Sequence, residues 1–541
     1  MAATRIPTLV FIAALASAPL MAEGIPASYA EDRGNAEFVM ATGYEPVLDP
    51  SLVSDTASMN ACLGLFEGLM QYDPITNKAV PALAESWTTS EDGLVVTFKL
   101  RKAAWSDGHP VTAEDFVYAM KRILDPETGA DLGYLPAMVL EGGRDFNDGK
   151  APFNGVGIRA VDHRTLEYRL KAPAPYFVEM TCNSAFWPLP SWAVDKYGTR
   201  WTRSNNIVTN GPYLLSEWVR GSHLLLERNP GYWDAAAVRL ERVRIITGGD
   251  AAAVLAAYAR GDIDWVSGIP ADPPEAVMLR PDYQSADRLA TTYYVFNVMR
   301  QPFDDIRVRR ALAASVDKKA LVDTFFGGRQ SVTDSMAPAM DGYVPQAGQG
   351  YDPDAARRLL AEAGYPGGKG FPHVELLYYP NANVEQVSAF LQAQWKENLG
   401  IDVWLRKADP REFARLRDGD HDFDIARGGW VGDYFDPNTM LDLFVTGEAY
   451  DSGLYSNPDF DARIDAAKRA TGEERMAILQ EAEAILMRDA PIITLYHHIN
   501  EDLIDTAVWG GWYPTPLGYH PWKYIYWKAE PTRTTVASAR P

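Results

Sequence analysis

Apolar positions along this chain switch repeatedly between two periods, and the switches predict alternating strands and helices. Residues 36–48 alternate loosely and stop at Leu48-Asp49-Pro50, where proline fixes the backbone. A strand leaving into a turn is expected there. Residues 56–70 have helical spacing, with Leu63, Phe66 and Met70 on one face. Val95–Leu100 reads as a strand, and Asp107-Gly108 marks a turn. Thr112-Ala-Glu-Asp115 is a capping-box pattern that opens a helix through Lys121. Residues 164–170 form another strand, and Val208–Tyr213 is a turn leading into a strand over Leu214–Trp218.

The second half repeats the mixture. From Thr291 onward Tyr293, Val295 and Asn297 alternate. Asp305–Ala320, Asp354–Ala363, Val384–Leu399 and Glu473–Arg488 read as helices. Leu376–Tyr379 and Val403–Leu405 read as strands beside them. Mixed elements throughout predict an α/β architecture. At 541 residues the chain exceeds what one core usually serves, so two or three domains are expected.

Composition adds little to that fold class, but charge narrows the partners. Net charge is −21, which repels phosphate backbones and anionic membrane surfaces, so nucleic acid is excluded as a partner. Arg5 is the only charge before an apolar run from Leu9 to Ala18, which is too short to span a bilayer. Ser28-Tyr29-Ala30 then offers a small-x-small cleavage site, with earlier sites near Ala18 and Ala22. Residues 1–30 therefore read as an export signal, and the mature protein as periplasmic, with secretion as the alternative. No cysteine lies near the cleavage region to take a lipid. Cys62 and Cys182 are the only cysteines; they pair in an oxidising compartment or remain two buried thiols.

Motifs for catalysis are missing. The eight histidines are scattered, no HExxH occurs, and His497 and His498 point to opposite faces of any strand that holds them. There is no GxSxG elbow and no Walker loop. Ser315-Val-Asp-Lys318 matches an SxxK acylation motif but lacks its partner motifs, and reads as a chance match on a helix surface. Asp418–Asp422 resembles a calcium loop, but Phe423 stands where glycine is required and Gly429 where the bidentate acid belongs, so it reads as an acidic turn. No metal or cofactor is expected.

Several segments in order carry a stronger signal. They are Leu48-Asp49-Pro50, Leu65–Leu69, Ala84–Trp87, Trp105–Pro110 with Thr112–Phe116, Asn210–Tyr213, Arg228–Trp233, Phe303–Leu312 and Gly429–Pro437. Together they resemble the oligopeptide- and dipeptide-binding proteins of ABC importers, over nearly the whole mature chain. The resemblance implies the two-lobed, type II-like periplasmic-binding-protein fold with a third, accessory lobe. The first ligand lobe would comprise 31–66, 191–290 and 498–541; the accessory lobe, 67–190; the second ligand lobe, 291–497.

It also implies a short peptide held between the lobes, a membrane permease as partner, a monomer, and no catalysis. Gly429, Trp430 and Val431 resemble one strand edge for the peptide backbone, and Ser54, Asp55 and Thr56 the opposite one. Asp433 matches the carboxylate that pairs with the peptide's α-amino group; a structural turn carboxylate is the competing role. Arg427 matches a cation facing the ligand, with an internal ion pair as its alternative. Trp430 walls a side-chain pocket or packs. Some relatives carry a lysine after the helix at Asp305–Val322; here Phe325-Phe326 fills that place and Arg329 is the nearest cation. Two other readings remain: the same fold binding a metal chelate, sugar or specialised metabolite, and a secreted hydrolase using Asp433 and Asp436 as acid and base.

Overall fold

A computed structural model describes residues 37–269, 275–381, 383–448 and 450–528. The export-signal reading falls on residues 1–30, outside the described residues. Eleven strands form the main sheet. In chain order they are β1 (Glu37–Ala41), β2 (Tyr213–Val219), β3 (His223–Arg228), β4 (Arg242–Ile246), β5 (Trp265–Ser267), β6 (Tyr283–Phe296), β7 (Ser331–Val332), β8 (Val374–Tyr378), β9 (Val403–Lys407), β10 (Ile425–Val431) and β11 (Ile492–Ile504). Their spatial order is β9-β8-β10-β6-β11-β5-β1-β4-β3-β2, with β7 also on β11.

All five residues of β1 are buried, because it lies between parallel partners β4 and β5. A strand covered on both faces needs no strict alternation, which is why only a loose pattern marked it. Its buried Glu37 is held by Arg244 at 2.7 Å and Arg242 at 3.1 Å.

Two long strands, β6 and β11, run side by side through both halves of the sheet. Tyr283–Asp287 pair with Ile499–Leu503, and Thr291–Val295 pair with Ile492–His497. Between these stretches Arg288, Leu289 and Ala290 stand against His498 alone, a bulge between the two paired runs. Beyond it β6 is buried on both faces: Tyr293 and Val295 enter one core, Tyr294 and Phe296 another built wholly from residues 294–496. A separate antiparallel sheet joins Ala84–Thr89, Val95–Leu100, Thr165–Arg169 and Ile158–Asp162, in that order.

Two predicted helices change. The first, α1 (Thr56–Leu65), stops before Phe66, and Met70 begins a short strand. Tertiary pairing ends it: Glu67 N–H donates to Asn210 Oδ1 at 3.1 Å, and Asn210 Nδ2 returns a bond to Glu67 O at 2.9 Å. The capping box at Thr112 opens α2 (Ala113–Leu124) as expected. The helix expected over Asp305–Ala320 is two, α3 (Ile306–Ala314) and α4 (Lys318–Phe326). Asp317 caps the second by accepting from Ala320 N–H at 2.9 Å, and the apolar period runs through the break and conceals it. Ser315 and Lys318 are therefore buried at a helix junction, not on a helix surface; Lys318 pairs with Asp334 and Ser315 Oγ donates to Leu312 O. The two remaining long helices keep their predicted spans within a residue: α5 (Val384–Leu399) and α6 (Gly472–Asp489).

Candidate functional site

A cleft of about 540 Å³ opens beside the β6 bulge, against β11. Its walls come from the loop into α1, the ends of β5 and β10, Ile499–Asp502 of β11 and the Gly518–His520 turn. Five sequence-predicted residues meet in it: Ser54, Asp55, Thr56, Val431 and Asp433. Trp430 lines an adjoining pocket of about 140 Å³ that also reaches Asp433. Arg427 lies elsewhere, in a cavity of about 260 Å³ that shares Glu501 with the cleft. Gly429 lines none of these; a Cβ there would sit 3.3 Å from the Arg427 guanidinium.

β10 offers an open edge. Its whole length pairs with β6, but on the other side only Ile425 and Ala426 meet β8. Gly432 N–H donates to Leu289 O at 2.7 Å. Antiparallel alternation from that bond aims the backbone groups of Gly429 and Val431 away from β6. Gly428 is required, because a Cβ would lie 2.3 Å from the Tyr293 ring. The opposite wall is not a strand: Asp55 caps α1, accepting from Ser58 N–H at 2.8 Å, Ser58 Oγ at 2.6 Å and Tyr44 OH at 2.8 Å. Thr56 is already helical. The strand edge expected at Ser54–Thr56 is thus a capping turn, because three donors converge on Asp55.

Asp433 is half-buried directly after β10, with no ion-pair partner among the described residues. Tyr134 OH donates to its Oδ2, Asn183 Nδ2 donates to its carbonyl at 3.1 Å, and its N–H donates to Thr439 Oγ1 at 3.1 Å. Burial pushes its carboxyl up to about 7, against the Tyr134 hydrogen bond that favours the anion. Tyr134, Tyr450 and Trp430 pack edge to face around it, with Trp430 to Tyr450 at 5.0 Å. Trp430 both packs and lines the pocket.

Asp436 behaves differently. Arg475 grips it with two bonds at 2.7 and 2.8 Å, and it lines a separate cavity. The two carboxylates do not converge as an acid–base pair. Arg427 makes no ion pair among the described residues; it faces Tyr379, and its buried Nε has no protein partner. Arg329 is bound to Glu501 at 2.6 Å, and Phe326 packs on Tyr496 beside it. The SxxK lysine and the acidic turn are also accounted for locally: Asp418 pairs with Arg417, and Asp420 with Arg415. No cluster of metal-ligating side chains occurs among the described residues. Cys62 and Cys182 are buried and free.

Sequence reasoning missed three site residues. Tyr134 and Asn183 come from 67–190, far from Asp433 in the chain, and no local pattern marks them. Arg288 lines the cleft from the β6 bulge. The sequence profile of the bacterial extracellular solute-binding proteins, family 5 (middle region), matches residues 78–452. The chain belongs to this family. The periplasmic oligopeptide-binding protein OppA of Escherichia coli K12 is 33% identical over 480 residues, covering 86% of this chain and 87% of that one. The unliganded open form of the murein tripeptide-binding protein MppA superposes with a TM-score of 0.78 at 32% identity, covering 91% of this chain and 98% of that one. Haemophilus influenzae OppA in complex with the peptide RPPGFSPFR gives 0.73 at 30% identity, covering 91% and 99%. The structural neighbours have the two-lobed, type II-like fold, and the mixed α/β architecture here matches it. Among the described residues no helix is long and apolar enough to cross a membrane.

Proposed function

We propose that this is an exported, monomeric binding protein that holds a short peptide in the cleft and delivers it to the permease of an ABC importer, without catalysis. The observation that carries the peptide reading is Asp433: a carboxylate without a cation, at the end of an open strand edge. An ammonium ion placed there gains a charge-assisted bond in a site largely removed from water. An extended peptide gains backbone bonds along Gly429 and Val431 whatever its sequence. Arg427 then suits a carboxylate of a ligand that reaches the neighbouring cavity. A sugar's hydroxyls can hydrogen-bond there but bring neither the positive charge for Asp433 nor a regular run of backbone partners for the edge.

The long strands β6 and β11 support lobes of 31–66, 191–290 and 498–541 against 291–497, with 67–190 as the accessory lobe that lends Tyr134 and Asn183. Contacts made to both walls only when the lobes approach would favour the closed state. Calorimetry with a peptide and its N-acetylated form tests the reading. Acetylation is expected to abolish measurable binding, and equal affinities would overturn the role of Asp433.

Binding should also depend on pH in a defined sense. Asp433 in the empty protein is protonated below about 7 and must ionise to hold an ammonium. A free α-amino group stays charged up to about 8. Affinity is therefore expected to peak between about 7 and 8 and to fall roughly tenfold per pH unit well below that window. Proton release at pH 6, read from calorimetry in buffers of different ionisation enthalpy, checks the sign. A flat profile from about pH 5 to 8 contradicts it.

A further inference from the structure

Arg288 is the charged residue of the cleft that neither the fold nor the amino-terminus contact uses. It opens the bulge of β6, where three residues stand against one of β11. Bulges re-aim side chains, and this one faces the cleft. A guanidinium carries five N–H donors. Here Nη2 donates to the neutral Thr56 Oγ1 at 3.2 Å, and the buried Nε has no protein partner. No ion pair involves Arg288 among the described residues.

Apart from Asp433, which the peptide's amino group takes in this reading, the acids lining the same cleft are committed elsewhere. Asp55 takes three donors from Tyr44 and Ser58. Glu501 binds Arg329 and, through Oε1, accepts from Tyr283 OH at 2.7 Å. Asp502 accepts from Trp265 Nε1 at 2.9 Å. Burial lowers the Arg288 pKa from its ordinary value, yet an arginine stays charged. A cation withdrawn from water without a counter-charge is costly, so its place in an open cleft points to an anionic group on what fills it. Tyr519 lies within electrostatic range of both Asp433 and Arg288, which sets the acid and the cation in one neighbourhood.

We propose that Arg288 binds a carboxylate of the ligand, so that the cleft selects short peptides carrying a carboxylate close to their amino end. The source is an acidic side chain at the second or third residue, or the C-terminus of a di- or tripeptide. The proposal rests on the peptide reading and deepens it.

Calorimetry separates the two sources. Ala-Glu-Ala-Ala and Ala-Ala-Glu-Ala are compared with their glutamine counterparts, and Ala-Ala and Ala-Ala-Ala with their C-terminal amides. The unmodified protein is expected to prefer the acid at least about tenfold in one of these arms. Arg288→Met should reduce that preference to about twofold or less, and Arg288→Lys should retain part of it, since lysine keeps the charge but loses the fork. Equal affinities for acid and neutral peptides in every arm, or a preference unchanged in Arg288→Met, overturn the proposal. Should the methionine variant fail to fold, an undiminished preference in Arg288→Lys does so. N-acetylation reads Asp433 separately. Sensitivity to acetylation without acid preference overturns Arg288 alone; indifference to both, or no binding of any peptide, overturns the peptide reading as well.

Discussion

Asp433→Asn is expected to weaken peptide binding by about 3–5 kcal/mol, a hundredfold to several thousandfold, while making the empty protein more stable at pH 8. The binding loss follows from leaving a buried ammonium without its counter-charge. Asparagine keeps the shape and still accepts from Tyr134, so the pocket is not rebuilt. The stability gain has the opposite origin. The folded-state pKa of Asp433, about 7, lies above its unfolded value near 4. The folded protein thus binds more protons between those values, and its stability falls as pH rises through them. Above about 7 the full penalty of the buried anion is present; below about 4 it is absent. Thermal denaturation should show Asp433→Asn raised over the unmodified protein at pH 8 and level with it near pH 4. A variant that binds normally, or one destabilised at pH 8, contradicts the assignment.

The second large effect concerns Arg475. The residue is 3% exposed, and its guanidinium holds Asp436, 8% exposed, through two bonds. Arg475→Ala removes the counter-charge and leaves a buried carboxylate, at a cost of about 3–5 kcal/mol. A lower urea midpoint is the direct readout. Peptide affinity should fall too, because Asp436 sits three residues after Asp433 and fixes the turn that presents it. Arg475→Met with Asp436→Leu, which removes both charges, should recover much of the stability. If the single variant unfolds at the unmodified protein's midpoint, the pair is not holding the turn.

Local chemistry made much of the fold legible. The capping box at Thr112, the turn before Tyr213 and the long helix over Val384–Leu399 are each written in adjacent residues. Errors arose where distant residues decide. Asn210 ends α1 at Leu65, although the apolar spacing continues through Met70. Asp317 starts a new helix inside an unbroken period. The site divides in the same way. Asp433 and the β10 edge lie in one contiguous motif and could be named from it. Ser54–Thr56 belongs to the cleft, but as a cap. Tyr134, Asn183 and Arg288 reach it from other parts of the chain, two from across the fold and one by a bulge that only strand pairing reveals.

The unpaired edge of β10 has a further consequence. A row of free N–H and C=O groups templates any extended chain, including another copy of the same protein, and exposed edges of this kind lead to association. Here the edge runs beside the rings of Tyr134, Trp430 and Tyr450 and ends at the turn into Asp433, with its last residue, Val431, 49% exposed. The open stretch is short, since Ile425 and Ala426 already pair with β8 and the strand ends at Val431. Shortness of this kind is one way an edge escapes self-association, and it leaves just enough backbone to hold one loose chain.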